Sequence, residues 1–385
     1  MTPQFGERHS STMSTSRETS ARRLRERFRD VIERSDVAES LRTRGWAKVD
    51  AFLEAEDADG LRGALDSLAS VVVEDEDADA TTATASASLG DGGDVVGSRR
   101  KYLRPNRTHF TSADGSKRFL FGKPHIFECD MHDDETLSET QSDEKYSLLW
   151  SFFDATSDAM AAAFASAVPE LRLAPAGPTS RTVKLQLNEG SGGCFPWHYD
   201  NPGAPSKRAL TCILYLNPEW KLGDGGELRL QPFCGAAATV APRHNRLAIF
   251  YSDRTLHRVM PSYADKRYAM TVWIDGDFVD PATGQSTNAS VLNLNANQAL
   301  NDIGATAKIL SQTNAQRALS RAVYADEYEQ SLVECMSTAR GAEDMLEAHY
   351  EHCRSVKKNA ALRSLVDAIR EYRREIEATH EEVRV

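Results

Sequence analysis

Between residues 181 and 274 the chain breaks into short runs rich in β-branched and aromatic residues. Residues 182–187, 210–216, 227–230, 247–251 and 268–274 each read as a strand. Glycine, proline and aspartate interrupt them, most densely at Gly223-Asp224-Gly225-Gly226. Many short strands with such punctuation specify a sandwich or a jelly-roll barrel.

Helical periodicity surrounds this β-rich stretch. Residues 1–20 are polar and short of large apolar side chains, which predicts disorder. A helix is expected from Ala21, with Leu24, Phe28 and Val31 on one face. Residues 46–49 read as a strand, and Leu61, Leu65 and Leu68 mark an amphipathic helix. Residues 74–98 turn acidic and then rich in Ala, Thr, Ser and Gly, the composition of a mobile low-complexity insertion. Residues 101–140 have no clear period. A helical period returns from Tyr146 to Phe164. Beyond residue 286 the chain reads as a helical C-terminal extension. There Tyr324, Tyr328, Leu332 and Cys335 form one stripe, and Leu362, Leu365, Ile369, Tyr372 and Ile376 form another. These stripes fit packing on the barrel or dimerisation equally, so the oligomeric state stays open. The expected organisation is a tail at 1–20, one catalytic domain at 21–285 with its barrel at 181–276, and helices at 286–385.

The net charge of −11 gives no counterion-release affinity for nucleic acid and argues against such a partner. No apolar run approaches the roughly 20 residues needed to span a bilayer. The N-terminus lacks the apolar core of a signal peptide. Its Ser, Thr and Arg hint at a transit peptide, against which Glu7, Glu18 and Glu26 argue. Six cysteines without a CxxC pair read as free thiols of a cytoplasmic or nuclear protein.

A metal site is expected inside the β-rich stretch. His198 and Asp200 lie two apart on an extended chain, so their side chains share a face. Two histidines and one carboxylate with open positions form the facial triad of non-haem Fe(II) oxygenases. The pair alone is weak, because the chain holds four His-x-Asp/Glu pairs. His132/Asp134 lies in an acidic stretch, and His349/Glu351 and His380/Glu382 lie in helical patterns. These three read as solvated surface. Of the candidates for the third ligand, His244 sits in a turn-like segment, whereas His257 sits near a strand start.

Arg267, Thr271 and Trp273 share one face of the last strand. A guanidinium inside a barrel needs an anion, and a dicarboxylate supplies one with two parallel hydrogen bonds. A structural ion pair is the alternative. Thr211 and Tyr215 share a face of their own strand, and their hydroxyls would complete an anion site.

The segments His198-Tyr199-Asp200-Asn201-Pro202, Thr211-Cys212-Ile213-Leu214-Tyr215-Leu216-Asn217 and Gly225-Gly226-Glu227-Leu228-Arg229 together resemble the prolyl 4-hydroxylase family. So do Ser252-Asp253-Arg254, His257 and Arg267-Tyr268-Ala269-Met270-Thr271-Val272-Trp273. The likeness is greatest to the oxygen-sensing enzymes that act on hypoxia-inducible factors, and it covers residues 181–276. It implies a double-stranded β-helix, a jelly-roll barrel with supporting helices. It implies iron held by His198, Asp200 and His257, and 2-oxoglutarate held by Arg267 with Tyr215 and Thr271 beside a wall made by Trp273. It implies O2 as co-substrate, ascorbate as reductant, and hydroxylation of a target proline in a protein, with succinate and CO2 released. Asn188 departs from the pattern, standing where the family carries a tyrosine upstream of the first ligand. The segments from Asp200 to Tyr215 and from His257 to Arg267 are slightly longer than the pattern. Another substrate with the same cofactors, or a silent barrel acting as a binding module, is the alternative.

Overall fold

The computed structural model describes residues 6–74, 98–111, 118–173, 180–280, 282–286, 296–336 and 342–382. The first helix, α1, is Gly6–Ile32, followed by α2 (Ser35–Arg44), strand β1 (Trp46–Asp50) and α3 (Ala55–Ser70). Leu24, Phe28 and Val31 are buried as their spacing requires. Residues 6–20 belong to α1, contrary to the disorder expected of 1–20; residues 1–5 lie outside the described residues. The polar composition misled because this segment is held by ionic and polar contacts. Arg17 pairs with Asp154 at 2.7 Å, and the Arg17 carbonyl accepts from Ser151 at 3.0 Å.

Short strands β2 (Val72–Glu74) and β3 (Ser98–Arg100) pair with each other at either end of the expected insertion, whose residues 75–97 lie outside the described ones. Residues 101–140, which lacked a readable period, contain β4 (Arg104–Thr111) and the bent β5 (Arg118–Asp130). Residues 146–164 form α4 (Ser147–Ala155), one wider turn over Thr156–Met160, and the start of α5 (Ala161–Ala167).

The remaining strands are β6 (Leu171–Leu173), β7 (Arg181–Asn188), β8 (Gly193–His198), β9 (Arg208–Tyr215), β10 (Leu228–Gln231), β11 (Ala238–Val240), β12 (Arg246–Tyr251), β13 (Leu256–Ser262) and β14 (Arg267–Phe278). They form two antiparallel sheets. The larger has the order β1-β12-β9-β14-β7-β5-β4, with β6 on β14, and the smaller the order β11-β10-β13-β8. This is the expected jelly roll. Helices α1, α3 and α4 pack their apolar faces with the larger sheet into the main core, through Phe28, Leu65, Phe152, Leu185, Leu214 and Met270. The smaller sheet faces the barrel interior, where Leu228 and Leu230 meet Tyr215, Phe250 and Ala269.

The C-terminal helices are α6 (Ala296–Asn301), α7 (Ile303–Ser311), α8 (Gln316–Val323), α9 (Ala325–Met336), α10 (Ala342–Lys358) and α11 (Ala360–Glu382). Both apolar stripes turn toward the body of the protein: Tyr324, Tyr328, Leu365 and Ile369 are buried with Trp197 and Leu256. Helix α9 lies on β8. The Trp197 amide donates to Ser331 Oγ at 3.2 Å, and Cys194 forms a disulfide with Cys335. The expectation of six free thiols is therefore wrong for this pair. Sequence separation of 141 residues hid it, because only the docking of α9 brings the sulfurs together. Cys129, Cys212, Cys234 and Cys353 remain thiols.

Candidate active site

Strands β8 and β13 pair so that His257 stands directly opposite His198. Asp200 follows β8 by two residues, and together the three present ligand atoms within 4.8 Å of one another. Nε2 of His198 lies 3.5 Å from Asp200 Oδ1, and Nε2 of His257 lies 3.6 Å from Asp200 Oδ2. Nδ1 of each ring faces a backbone carbonyl, Pro196 at 2.8 Å and Thr255 at 3.1 Å. A proton on Nδ1 donated to those carbonyls leaves both Nε2 lone pairs aimed at one point. Burial and the neighbouring His257 lower the pKa of His198, favouring the neutral ring a metal needs. Burial alone would raise Asp200, but the two imidazoles hold it well below the usual carboxylate range.

Thr211 supports this carboxylate. Its hydroxyl donates to Asp200 Oδ2 at 2.7 Å and lies 2.8 Å from Ser252 Oγ. The sequence had placed Thr211 in the anion pocket with Tyr215. The structure assigns it to the triad instead, because four residues of β9, roughly 13 Å of strand, separate the two side chains.

Arg267, the first residue of β14, is 2% exposed, and no carboxylate of the described residues forms an ion pair with it. Its Nε donates to the Gly226 carbonyl at 2.8 Å, and its guanidinium carbon lies 5.1 Å from the centre of the Tyr215 ring. Burial lowers its pKa. Burial also pushes the Tyr215 phenol up to about 12 against the pull of Arg267, and among the described residues the Tyr215 hydroxyl and Ser262 Oγ find no hydrogen-bond partner within bonding geometry. Gly226 is what lets the arginine in. With φ at 72°, it sits where a Cβ would lie 2.6 Å from Arg267 Cδ and 3.1 Å from Ser262 Oγ. A buried guanidinium and two idle hydroxyls are costly unless an anion completes them.

Thr271 and Trp273 continue the same face of β14, and Trp273 stands opposite Thr211 on β9. The buried Trp273 Nε1 has no hydrogen-bond partner among the described residues, and Arg208 covers the ring at 4.2 Å. Asn188 pairs in register with Arg267, yet its amide nitrogen is committed to the Gly193 carbonyl at 2.7 Å. Its Oδ1 has no hydrogen-bond partner among the described residues.

The other histidines part from the triad. His244 occupies a turn, 2.9 Å from Asp59. His132 is half-buried against Phe153 rather than solvated. His349 is buried on α10 with Nε2 3.1 Å from the Ala325 carbonyl, a correction to its surface reading. It is a core histidine whose Nε2 is held by α9. His380 has no described side chain.

A sequence model of the 2OG-Fe(II) oxygenase superfamily matches residues 183–275. A solved structure of prolyl 4-hydroxylases from Phytophthora capsici is 31% identical, covers 92% of this chain and 96% of that one, and has a TM-score of 0.64. The chain belongs to the prolyl hydroxylase family of 2OG-Fe(II) oxygenases. Among curated members, prolyl hydroxylase EGLN3 of Homo sapiens is 49% identical over 88 residues, which cover 22% of this chain and 36% of that protein. Egl nine homolog 1 of Homo sapiens is 45% identical over 100 residues, covering 25% of this chain and 22% of that protein. The match to these curated proteins thus spans little more than a third of their length at most. The likeness to the solved structure reaches well past the barrel into the flanking regions, where the sequence alone offered a weak likeness before the barrel and none in the C-terminal helices.

The site fits the cofactors of that family. Two imidazoles and one carboxylate suit Fe(II) and leave positions open. The buried guanidinium, with no carboxylate paired to it among the described residues, suits with Tyr215 and Ser262 the distal carboxylate of 2-oxoglutarate. Ser262 was missed in the sequence. Only the pairing of the Gly225–Gly226 turn against β13 brings it to Arg267.

Proposed function

We propose that this chain is an Fe(II)- and 2-oxoglutarate-dependent dioxygenase that hydroxylates prolyl residues of a protein substrate at the 4-position. One observation carries the reading. A two-histidine, one-aspartate face shares the barrel with a buried guanidinium that pairs with no carboxylate among the described residues. Kinship with prolyl hydroxylases across most of the chain supports proline as the target.

His198, Asp200 and His257 would hold the iron. When bound, the iron with O2 and 2-oxoglutarate supplies the oxidising chemistry, and succinate and CO2 are released. The residues do the rest. The Pro196 and Thr255 carbonyls orient the imidazoles, and Thr211 fixes the Asp200 oxygen it donates to. Arg267, with Tyr215 and Thr271 along its face, receives the distal carboxylate and so sets the depth at which the co-substrate binds. Trp273 and Phe250 wall the site with apolar surface, Phe250 lying 4.5 Å from the His257 ring.

The test starts without oxygen. Protein loaded with Fe(II) and 2-oxoglutarate should develop a visible charge-transfer band that His198→Ala lacks. On admitting oxygen with proline-bearing peptides, mass spectrometry should find one added oxygen on proline. A band without any oxidised proline would keep the cofactors and refute the substrate.

A further inference from the structure

The row of rings beside the triad ends in a cation. The His257 and His198 rings lie 4.2 Å apart, and the Phe195 ring follows at 6.2 Å from His198, tilted by 28°. The ammonium of Lys123 then sits 4.2 Å from the centre of the Phe195 ring. Lys123 reaches this place because β5 bends over β8. The Pro124 carbonyl closes on Gly193, where a Cβ would lie 3.0 Å away, and Ile126 packs with Phe195 and Val259.

This lysine has no salt-bridge partner among the described residues. Glu128, the carboxylate that acts on it most strongly, is already engaged by Lys184 at 2.9 Å and by Asn106. Lys123 is half-buried, and desolvation lowers its ammonium to about 8 despite the attraction of Glu128 and, more weakly, of Asp200, which its two histidine neighbours already engage. The face of Phe195 attracts a cation but satisfies none of its three N–H donors. The co-substrate would not need this cation either, since Arg267 would pair with its distal carboxylate. A charge is therefore held near the triad, on the His198 side, awaiting a separate anion.

We propose that Lys123 is a substrate-recognition residue that pairs with an aspartate or glutamate a few positions from the oxidised residue, so that the protein selects acidic peptide segments. This rests on the reading that the substrate is a protein. A carboxylate on the partly desolvated ammonium forms a charge-assisted hydrogen bond, which discriminates against an amide of the same shape.

The experiment uses the full chain and a set of fluorescent peptides. Each peptide has one central proline in an Ala/Ser background, with a single Asp or Asn moved through the flanking positions. Binding is measured by anisotropy without oxygen, with Mn(II) and 2-oxoglutarate present, and hydroxylation is then measured with Fe(II) and oxygen. At one or two positions the Asp peptide should bind about tenfold more tightly than its Asn twin. Lys123→Met should abolish that ratio, Lys123→Arg should retain most of it, and Lys123→Glu should favour a Lys peptide at the same position. An Asp/Asn ratio near one throughout, or one identical in wild type and Lys123→Met, would overturn the proposal. If the ratio depends on Lys123 but no proline is oxidised, Lys123 keeps its role and the prolyl reading fails. If proline is oxidised with no dependence on Lys123, the reverse holds. Circular dichroism of each variant identifies any that fail to fold, and Lys123→Arg then decides.

Discussion

At Asp200, burial and two imidazoles pull in opposite directions, and the imidazoles win. The hydroxyl of Thr211 adds a fixed donor. Thr211→Val keeps the shape and removes that donor, so Mn(II) or Fe(II) affinity should fall about 10- to 100-fold, as for other groups that orient ligands. A metal titration checks this. Arg267→Lys should keep a positive charge but lose the forked geometry, raising the KM for 2-oxoglutarate about tenfold or more with metal affinity unchanged. The pH dependence follows from His198, whose pKa in the fold lies below its ordinary 6.5. Its stabilisation is present above the unfolded value and is lost as pH falls through the folded one. The Tm of metal-free protein should therefore decline on acidification below about 6.5, and more shallowly in His198→Gln. The ligands themselves were legible, because one His-x-Asp pair alone lay among strands. Their support was not. Ser252 and Ser262 reach the site only through strand pairing, which leaves no short-range pattern, and the two orienting carbonyls, each two residues before its histidine, carry no side-chain signature.

Strand β8 is the element on which the site turns. It ends in His198, pairs with the strand carrying His257, and is gripped from outside by α9 through Cys194–Cys335 and the Trp197–Ser331 hydrogen bond. Closing so long a loop restricts the unfolded chain, so reduction or Cys335→Ser should cost about 2–4 kcal/mol. Thermal unfolding with and without a reductant measures it. A reductant effect of equal size in Cys335→Ser would show that the bridge contributes nothing. The alternation of Arg267, Thr271 and Trp273 made β14 readable from its residues. Strand β8 was not readable as one, since Gly193-Cys194-Phe195-Pro196 has neither alternation nor β-branching. Strands β4 and β5 were missed for a related reason. A glycine, a proline and the left-handed His125 bend β5 midway and break its period.

Across the whole molecule, helices before and after the barrel cover different faces of it. The N-terminal helices close the larger sheet, and the C-terminal helices close the region behind Trp197 and Tyr199. Tyr199, between the two ligands of the pair, reaches 2.6 Å from Ser320 Oγ and 3.1 Å from Gln316 Oε1, so the metal loop is anchored to α8. The apolar stripes of these helices were legible, but their docking partner was not, because periodicity shows which face is buried and not against what. The account's central claim is that this assembly couples 2-oxoglutarate to proline oxidation. The most direct test incubates the protein with Fe(II), 2-oxoglutarate, O2 and an acidic proline-bearing peptide, and quantifies succinate and hydroxyproline together. The account predicts peptide-stimulated succinate with a matching amount of hydroxyproline, both lost in His198→Ala. Succinate formation equal in wild type and His198→Ala, or stimulated by peptide with no oxygen added to proline, would contradict it.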